Sequence, residues 1–122
     1  MHTIKNILKI SIPLYIVHAV EEYSTGLLKI DPVFRWVEAR GFNVATFYVV
    51  EQFLLIGLIL WAIHRPKQLA LFIIGLIFIF EITHVIPAVQ HVSYYPGLIT
   101  AIPLLIIGCF YWKKLLSISS AK

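Results

Sequence analysis

Seven side chains in this sequence could together do acid-base or metal chemistry: His18, Glu21 and Glu22, then Glu51, then Glu81, His84 and His91. At about 100° per helical residue, His18, Glu21 and Glu22 share one sector of a helix, and Glu81, His84 and His91 fall within about 80° of one another. Carboxylate mixed with imidazole suits Zn²⁺, Fe²⁺ or Mn²⁺, and four glutamates with three histidines could hold one ion or two. The expected metal ligands are His18, Glu51, Glu81, His84 and His91, with Glu21 or Glu22 as the general base for a water acidified by the ion. Tyr95 is expected beside the substrate.

The surroundings of these residues make them unusual. Of 122 residues, 60% are hydrophobic and 13% charged, whereas a soluble domain carries about 25% charged residues. Glu21, Glu22, Glu51 and Glu81 lie inside apolar runs, while the basic residues sit almost wholly in the connections. The net charge of +4 therefore reads as a topology signal, and nucleic acid is not an expected partner. One ionisable group at membrane depth costs a few kcal/mol or more, so a cluster needs partners, protons or a bound cation. The single cysteine, Cys109, excludes an intramolecular disulfide and any cysteine-based metal motif. No repeat or low-complexity segment divides residues 1–122, which are expected to form one polytopic membrane domain.

The elements that must position the cluster are an all-α, four-helix transmembrane bundle, with spans at about 4–28, 43–63, 68–92 and 95–112. The first apolar run continues into Glu21-Glu22-Tyr23 without a small-residue cleavage site, so an uncleaved helix is expected. Between the first two spans, Asp31-Pro32 and Gly41 bound a short helix over about 32–40. Val33, Trp36 and Val37 are expected on one side of it and Arg35 and Glu38 in water, so that it rests in the bilayer interface. Asn43 caps the second span, and Arg65-Pro66-Lys67 ends it. Pro87, between the two histidines of the third span, predicts an opened backbone beside His84. Lys113 and Lys114 are expected to stop the fourth span. Gly57 and Gly75 are read as close-packing positions, Trp61, Tyr94, Tyr95, Tyr111 and Trp112 as interfacial anchors, and His2 as part of a disordered terminus.

Charge fixes the expected orientation. With the N-terminus inside, Lys5, Lys9, Arg65, Lys67, Lys113, Lys114 and Lys122 are cytoplasmic and Lys29, Arg35 and Arg40 external. Both termini are then cytoplasmic, in an integral protein of the cell membrane. In this frame Glu21 lies roughly 25 Å and Glu81 roughly 20 Å above the inner surface, and Glu51 roughly 12 Å below the outer one. Three helices thus bring their carboxylates to the outer half of the bilayer.

The ordered series His18-Ala-Val-Glu21-Glu22-Tyr23, Glu51, Glu81-Ile-Thr-His84, His91 and Tyr95-Pro96-Gly97 resembles the HXXEE family of small integral membrane proteins. The resemblance spans nearly the whole chain. It implies a polytopic membrane domain, suspected to be enzymatic from its His and Glu residues, and leaves the reaction open.

The leading expectation is a metal-dependent enzyme, hydrolase or oxidoreductase, acting on a lipophilic substrate that enters sideways from the bilayer. The di-iron arrangement of helical bundles fits only in part, because His-x-x-Glu-Glu runs in the opposite order and the fourth span offers no ligand. A second reading is a metal-independent acid-base isomerase or cyclase, and a third is a proton- or cation-coupled transporter or a membrane partner subunit. A transporter would need a polar path past the featureless inner half, unless several copies assemble as a homo-oligomer.

Overall fold

The computed structural model describes residues 1–119, and Lys122 of the expected cytoplasmic set lies outside them. The chain forms α1 (His2–Thr25), α2 (Leu27–Ile30), α3 (Pro32–Ala39), α4 (Val44–His64), α5 (Gln68–Phe80), α6 (Ile82–Gln90) and α7 (Leu98–Ser119), with no strand among the described residues. Three stretches are long and apolar enough to cross a membrane: Val44–His64, Gln68–Gln90 and Leu98–Ile118. Large apolar side chains such as Phe53, Leu54, Leu69 and Phe110 stand out from their faces. That surface suits lipid, and the chain is a membrane protein.

Local chemistry sets the boundaries. The α1 helix ends at Thr25, three residues before the expected limit of its span, because Gly26 takes φ 89° and donates its N–H to the carbonyl of Glu22. Only glycine adopts that left-handed turn without a steric penalty. Asp31 caps α3 by accepting from the Val33 N–H at 2.8 Å, and Asn43 caps α4 by accepting from the Thr46 N–H at 2.9 Å. His2 opens α1 instead of trailing as a disordered end. At the other terminus α7 runs on through Lys113 and Lys114 to Ser119. Lysine is a good helix former, so its charge marks where apolar surroundings end without ending the helix.

The inward face of α3 also differs from expectation. Phe34 and Val37 are buried, an i, i+3 pair, whereas Val33 and Trp36 point outward. Phe34 packs with Leu27 and Tyr48 in a small apolar cluster, its ring edge-on to Tyr48 at 5.6 Å.

The long helices close on one another in a ring: α1 packs against α4 and α7, α5 against α4 and α7, and α6 against α7. At one end the interior is apolar. Ile4 and Leu8 of α1, Ile59 of α4, Ile74 and Phe78 of α5 and Leu104 of α7 are fully or almost fully buried in one cluster. Tyr111 is fully buried there too, its hydroxyl donating to the Leu71 carbonyl at 2.6 Å, and so is not an interfacial anchor. The half-buried Trp112 likewise packs inward. Its indole N–H donates to the Gly75 carbonyl at 2.8 Å, and a Cβ at Gly75 would lie 2.7 Å from its ring. Gly57, by contrast, faces open space, with nothing among the described residues within 4 Å of the position of a Cβ.

The third long stretch is interrupted at Glu81. The His84 N–H bonds to the Glu81 carbonyl, three residues back, and the Phe80 carbonyl is met by the Thr83 hydroxyl at 2.7 Å. The opening thus falls a turn before the place expected from Pro87. Thr83 makes it tolerable by supplying the missing donor from its own side chain.

Candidate functional site

Above the apolar cluster, α1 and the α5–α6 junction face each other through ionisable side chains. His18 Nε2 lies 3.2 Å from Glu22 Oε1 and 3.1 Å from Glu81 Oε2, and His84 Nε2 lies 3.1 Å from the same Glu22 Oε1. All four residues are buried, and the two imidazole rings meet edge to face at 5.0 Å. Ligand atoms of His18, Glu81 and His84 fall within 4.8 Å of one another.

The far side of each ring determines what its Nε2 can do. His84 Nδ1 is 2.6 Å from the Pro96 carbonyl, which can only accept, so Nδ1 carries a proton. His18 Nδ1 is 2.7 Å from Thr100 Oγ1. The Thr100 hydroxyl gives its own proton to Glu21 Oε2 and therefore accepts from His18. In the neutral form both rings then present a bare Nε2 lone pair to two carboxylates. Such a group of lone pairs repels itself unless shared protons or a cation lie between them. Glu81 Oε2, which faces His18 Nε2 at 3.1 Å and accepts no hydrogen bond among the described residues, has the same need; the buried Tyr15 hydroxyl of the same lining also lacks a partner among them.

The donor set fits a small divalent ion. Tetrahedral ligands about 2.0–2.1 Å from a metal are about 3.3 Å from one another, close to the His18 Nε2–Glu81 Oε2 separation of 3.1 Å. Fixing Nδ1–H against a carbonyl or hydroxyl while Nε2 points inward is also how metal-ligating histidines are held.

Backbone and second-layer groups maintain this geometry. Gly97, at φ 84°, lies so close beneath both rings that a Cβ would come within 2.8 Å of His84 Nδ1 and 2.9 Å of His18 Cε1. Glu22 Oε2 accepts from the Tyr48 hydroxyl at 2.6 Å, which brings α4 into the site. Glu21 is separated from Glu22 and turned to the start of α7. It accepts from the Ile99 and Thr100 N–H groups at 3.0 and 2.9 Å and from the Tyr94 hydroxyl at 2.6 Å, acting as a cap supplied by another helix. Partial burial, then the bond to Glu21, raises the Tyr94 phenol above its usual range and keeps it a donor.

A cavity of about 510 Å³ opens from the cluster, lined among others by Tyr15, His18, Glu22, Glu51, Glu81, His84 and Tyr95. Tyr95 is half-buried with its ring 5.9 Å from His84, and its phenol is raised by burial and then by the charges of Asp31 and Glu22. Glu51 reaches this cavity from an exposed position. His91 does not reach it: α6 ends at Gln90, so His91 leaves the helical face of His84 and is exposed.

Sequence reasoning thus singled out the residues that meet, His18, Glu22, Glu81 and His84, but missed Tyr15, Tyr48, Gly97 and Thr100. Tyr15 and Tyr48 could have been found at i−3 from His18 and Glu51. Gly97 stands in the Tyr95-Pro96-Gly97 motif, but its role, like that of Thr100, depends on how α7 docks on α1, which nothing local marks. No curated protein and no solved structure matches the chain. The family described as "Protein of unknown function with HXXEE motif" matches over residues 10–112, and the chain belongs to it.

Proposed function

We propose that the protein is an intramembrane metal-dependent enzyme acting on a lipophilic substrate. The observation that carries this reading is the convergence of two imidazole Nε2 atoms, each with its Nδ1 committed elsewhere, on Glu22 Oε1 and the unpartnered Glu81 Oε2. His18, His84 and Glu81 are the ligands, for zinc, iron or manganese. Such an ion supplies Lewis acidity and lowers the pKa of a bound water. Glu22, positioned by the Tyr48 hydroxyl, takes up the proton at Oε1, and Thr100 and the Pro96 carbonyl keep the imidazoles in the ligating tautomer. Glu21 positions Thr100 and the start of α7.

In this reading α1 is a fourth span, completing a four-helix transmembrane bundle with both termini cytoplasmic in the cell membrane. The Val33 and Trp36 side of α3 lies in the outer interface. The cavity is lined from α4 and the α5–α6 junction as well as from α1 and α3, and in this reading its substrate arrives through the bilayer. The apolar cluster below the site weighs against a transport path through one copy.

The test is elemental analysis of tag-free, detergent-purified protein beside the double variant Glu81→Ala/His84→Ala. Stoichiometric metal in the first and none in the second is the expected result. No metal after reconstitution with each ion would sink the mechanism. It would favour the second reading, proton transfer by an isomerase or cyclase, which the same close imidazole–carboxylate contacts also suit.

A further inference from the structure

Glu51 and Gln52 pose a problem that the cluster does not solve. Both line the cavity from α4, a helix apolar enough to cross a membrane. Neither has a hydrogen bond or ion pair among the described residues. An unpaired carboxylate facing hydrocarbon is costly, so such groups face water, a cavity or a ligand. Beside Glu51 the walls are apolar: Leu55 from α4 and Ile77 and Phe80 from α5.

The charge of the lining is one-sided. Asp31, Glu22, Glu51 and Glu81 all contribute, and no lysine or arginine does. A divalent ion would offset Glu22 and Glu81 and leave Asp31 and Glu51 uncompensated. Asp31 is partly occupied as the α3 cap, which leaves Glu51 as the free acceptor. Deeper in, the Tyr15 hydroxyl, in a nine-tenths-buried residue of the same lining, has no hydrogen-bond partner among the described residues and points to a polar ligand in this cavity.

We propose that the cavity takes a single-chain amino lipid, with its ammonium at Glu51 and its chain lying along Leu55, Ile77 and Phe80 toward the bilayer. The proposal rests on this cavity being the reaction site, and it names the substrate class. A fatty acid or an alkyl phosphate would place its anion beside Glu51, in a lining whose four carboxylates face no lysine or arginine and whose two imidazoles are committed to Glu22 and Glu81. An amine gains a charge-assisted hydrogen bond at a site sheltered from water. A pocket of this size is ample for a polar end with the first part of an alkyl chain.

The experiment uses the protein in phosphatidylcholine nanodiscs and a photoactivatable hexadecylamine, with hexadecylamine, hexadecanol and palmitate as competitors and the metal content of every sample measured. The amine should label α4 and α5 and be displaced by hexadecylamine at concentrations about tenfold lower than by hexadecanol, and not by palmitate. Glu51→Gln should remove that preference, and Glu51→Lys should turn it toward palmitate, with stoichiometric metal retained in both. Equal displacement by all three competitors, or an amine preference that survives Glu51→Gln, overturns the proposal. Amine selectivity without metal would leave this inference standing and remove the metal mechanism. Metal without amine selectivity would do the reverse.

Discussion

The two ends of the helix ring are built on opposite rules. At one end Ile4, Leu8, Ile59, Ile74 and Leu104 fill the interior completely, and the Tyr111 hydroxyl finds a carbonyl. At the other, four ionisable residues are buried together and two polar atoms, Tyr15 Oη and Glu81 Oε2, have no hydrogen-bond partner among the described residues. The same helices make both ends, so the contrast lies in what each set of side chains achieves. The filled end gains from close packing and asks nothing of a ligand. The polar end is costly while its lone pairs face one another, and only shared protons or a cation between them offset that cost. Stability should therefore be held by the apolar end and function by the polar one, and substitutions should separate the two.

The largest loss of stability is expected at the filled end. Ile74→Ala removes a fully buried side chain and should cost about 2–5 kcal/mol, read as a lower unfolding midpoint in detergent. On the proposed metal mechanism, its metal stoichiometry per folded molecule should not change. Metal lost in proportion to the Ile74 side chain, with the fold intact, would mean that the two ends are not separable.

Gly97→Ala should do the opposite. The left-handed φ costs a non-glycine residue about 1–2 kcal/mol, and the methyl would enter the space of both imidazoles. We expect a modest drop in the unfolding midpoint with complete loss of metal, measured by elemental analysis. Full metal content in this variant would show that the rings can retreat from Gly97 and still ligate.

Thr100→Val tests the same end more gently. It removes the hydroxyl that links His18 Nδ1 to Glu21 and leaves the side-chain shape nearly unchanged. Loss of such an outer partner lowers metal affinity about 10–100-fold, so a competing chelator should strip the variant at correspondingly lower concentration. Unchanged retention would remove Thr100 from the site.

The polar end was also the more legible in the sequence, for a physical reason. Charge inside an apolar run is expensive wherever it falls, so His18, Glu22, Glu81 and His84 stood out before any packing was known, and their shared depth followed from helix rise alone. Their separate roles did not. Glu21 and Glu22 are neighbours in one helical sector, and only the docking of α7 sends the first to a helix start and the second to the imidazoles. His91 was misplaced because the wheel was extended past the end of α6 and across the break at Glu81. At the filled end, hydropathy located the spans but not their inward faces: Gly57 and Gly75 look alike in sequence, and only Gly75 meets a partner, Trp112.

That last pair supplies the smallest test and the most direct check on which faces are packed. Gly57 lies within α4 with no atom near the position of a Cβ, so alanine there should meet nothing. A helix-interior glycine gives up about 0.5–1 kcal/mol relative to alanine through backbone entropy, so Gly57→Ala should raise the unfolding midpoint slightly. Gly75→Ala, with the Trp112 ring 2.7 Å from the new methyl, should lower it because the indole must shift from its bond to the Gly75 carbonyl. Metal content should be untouched by either, since neither glycine lines the polar cavity. If Gly57→Ala instead destabilised the protein in nanodiscs while leaving it stable as a detergent-solubilised monomer, the open face of α4 would be a contact between copies. The contrast would then have to be drawn for an assembly, with Gly57 on the filled side of it.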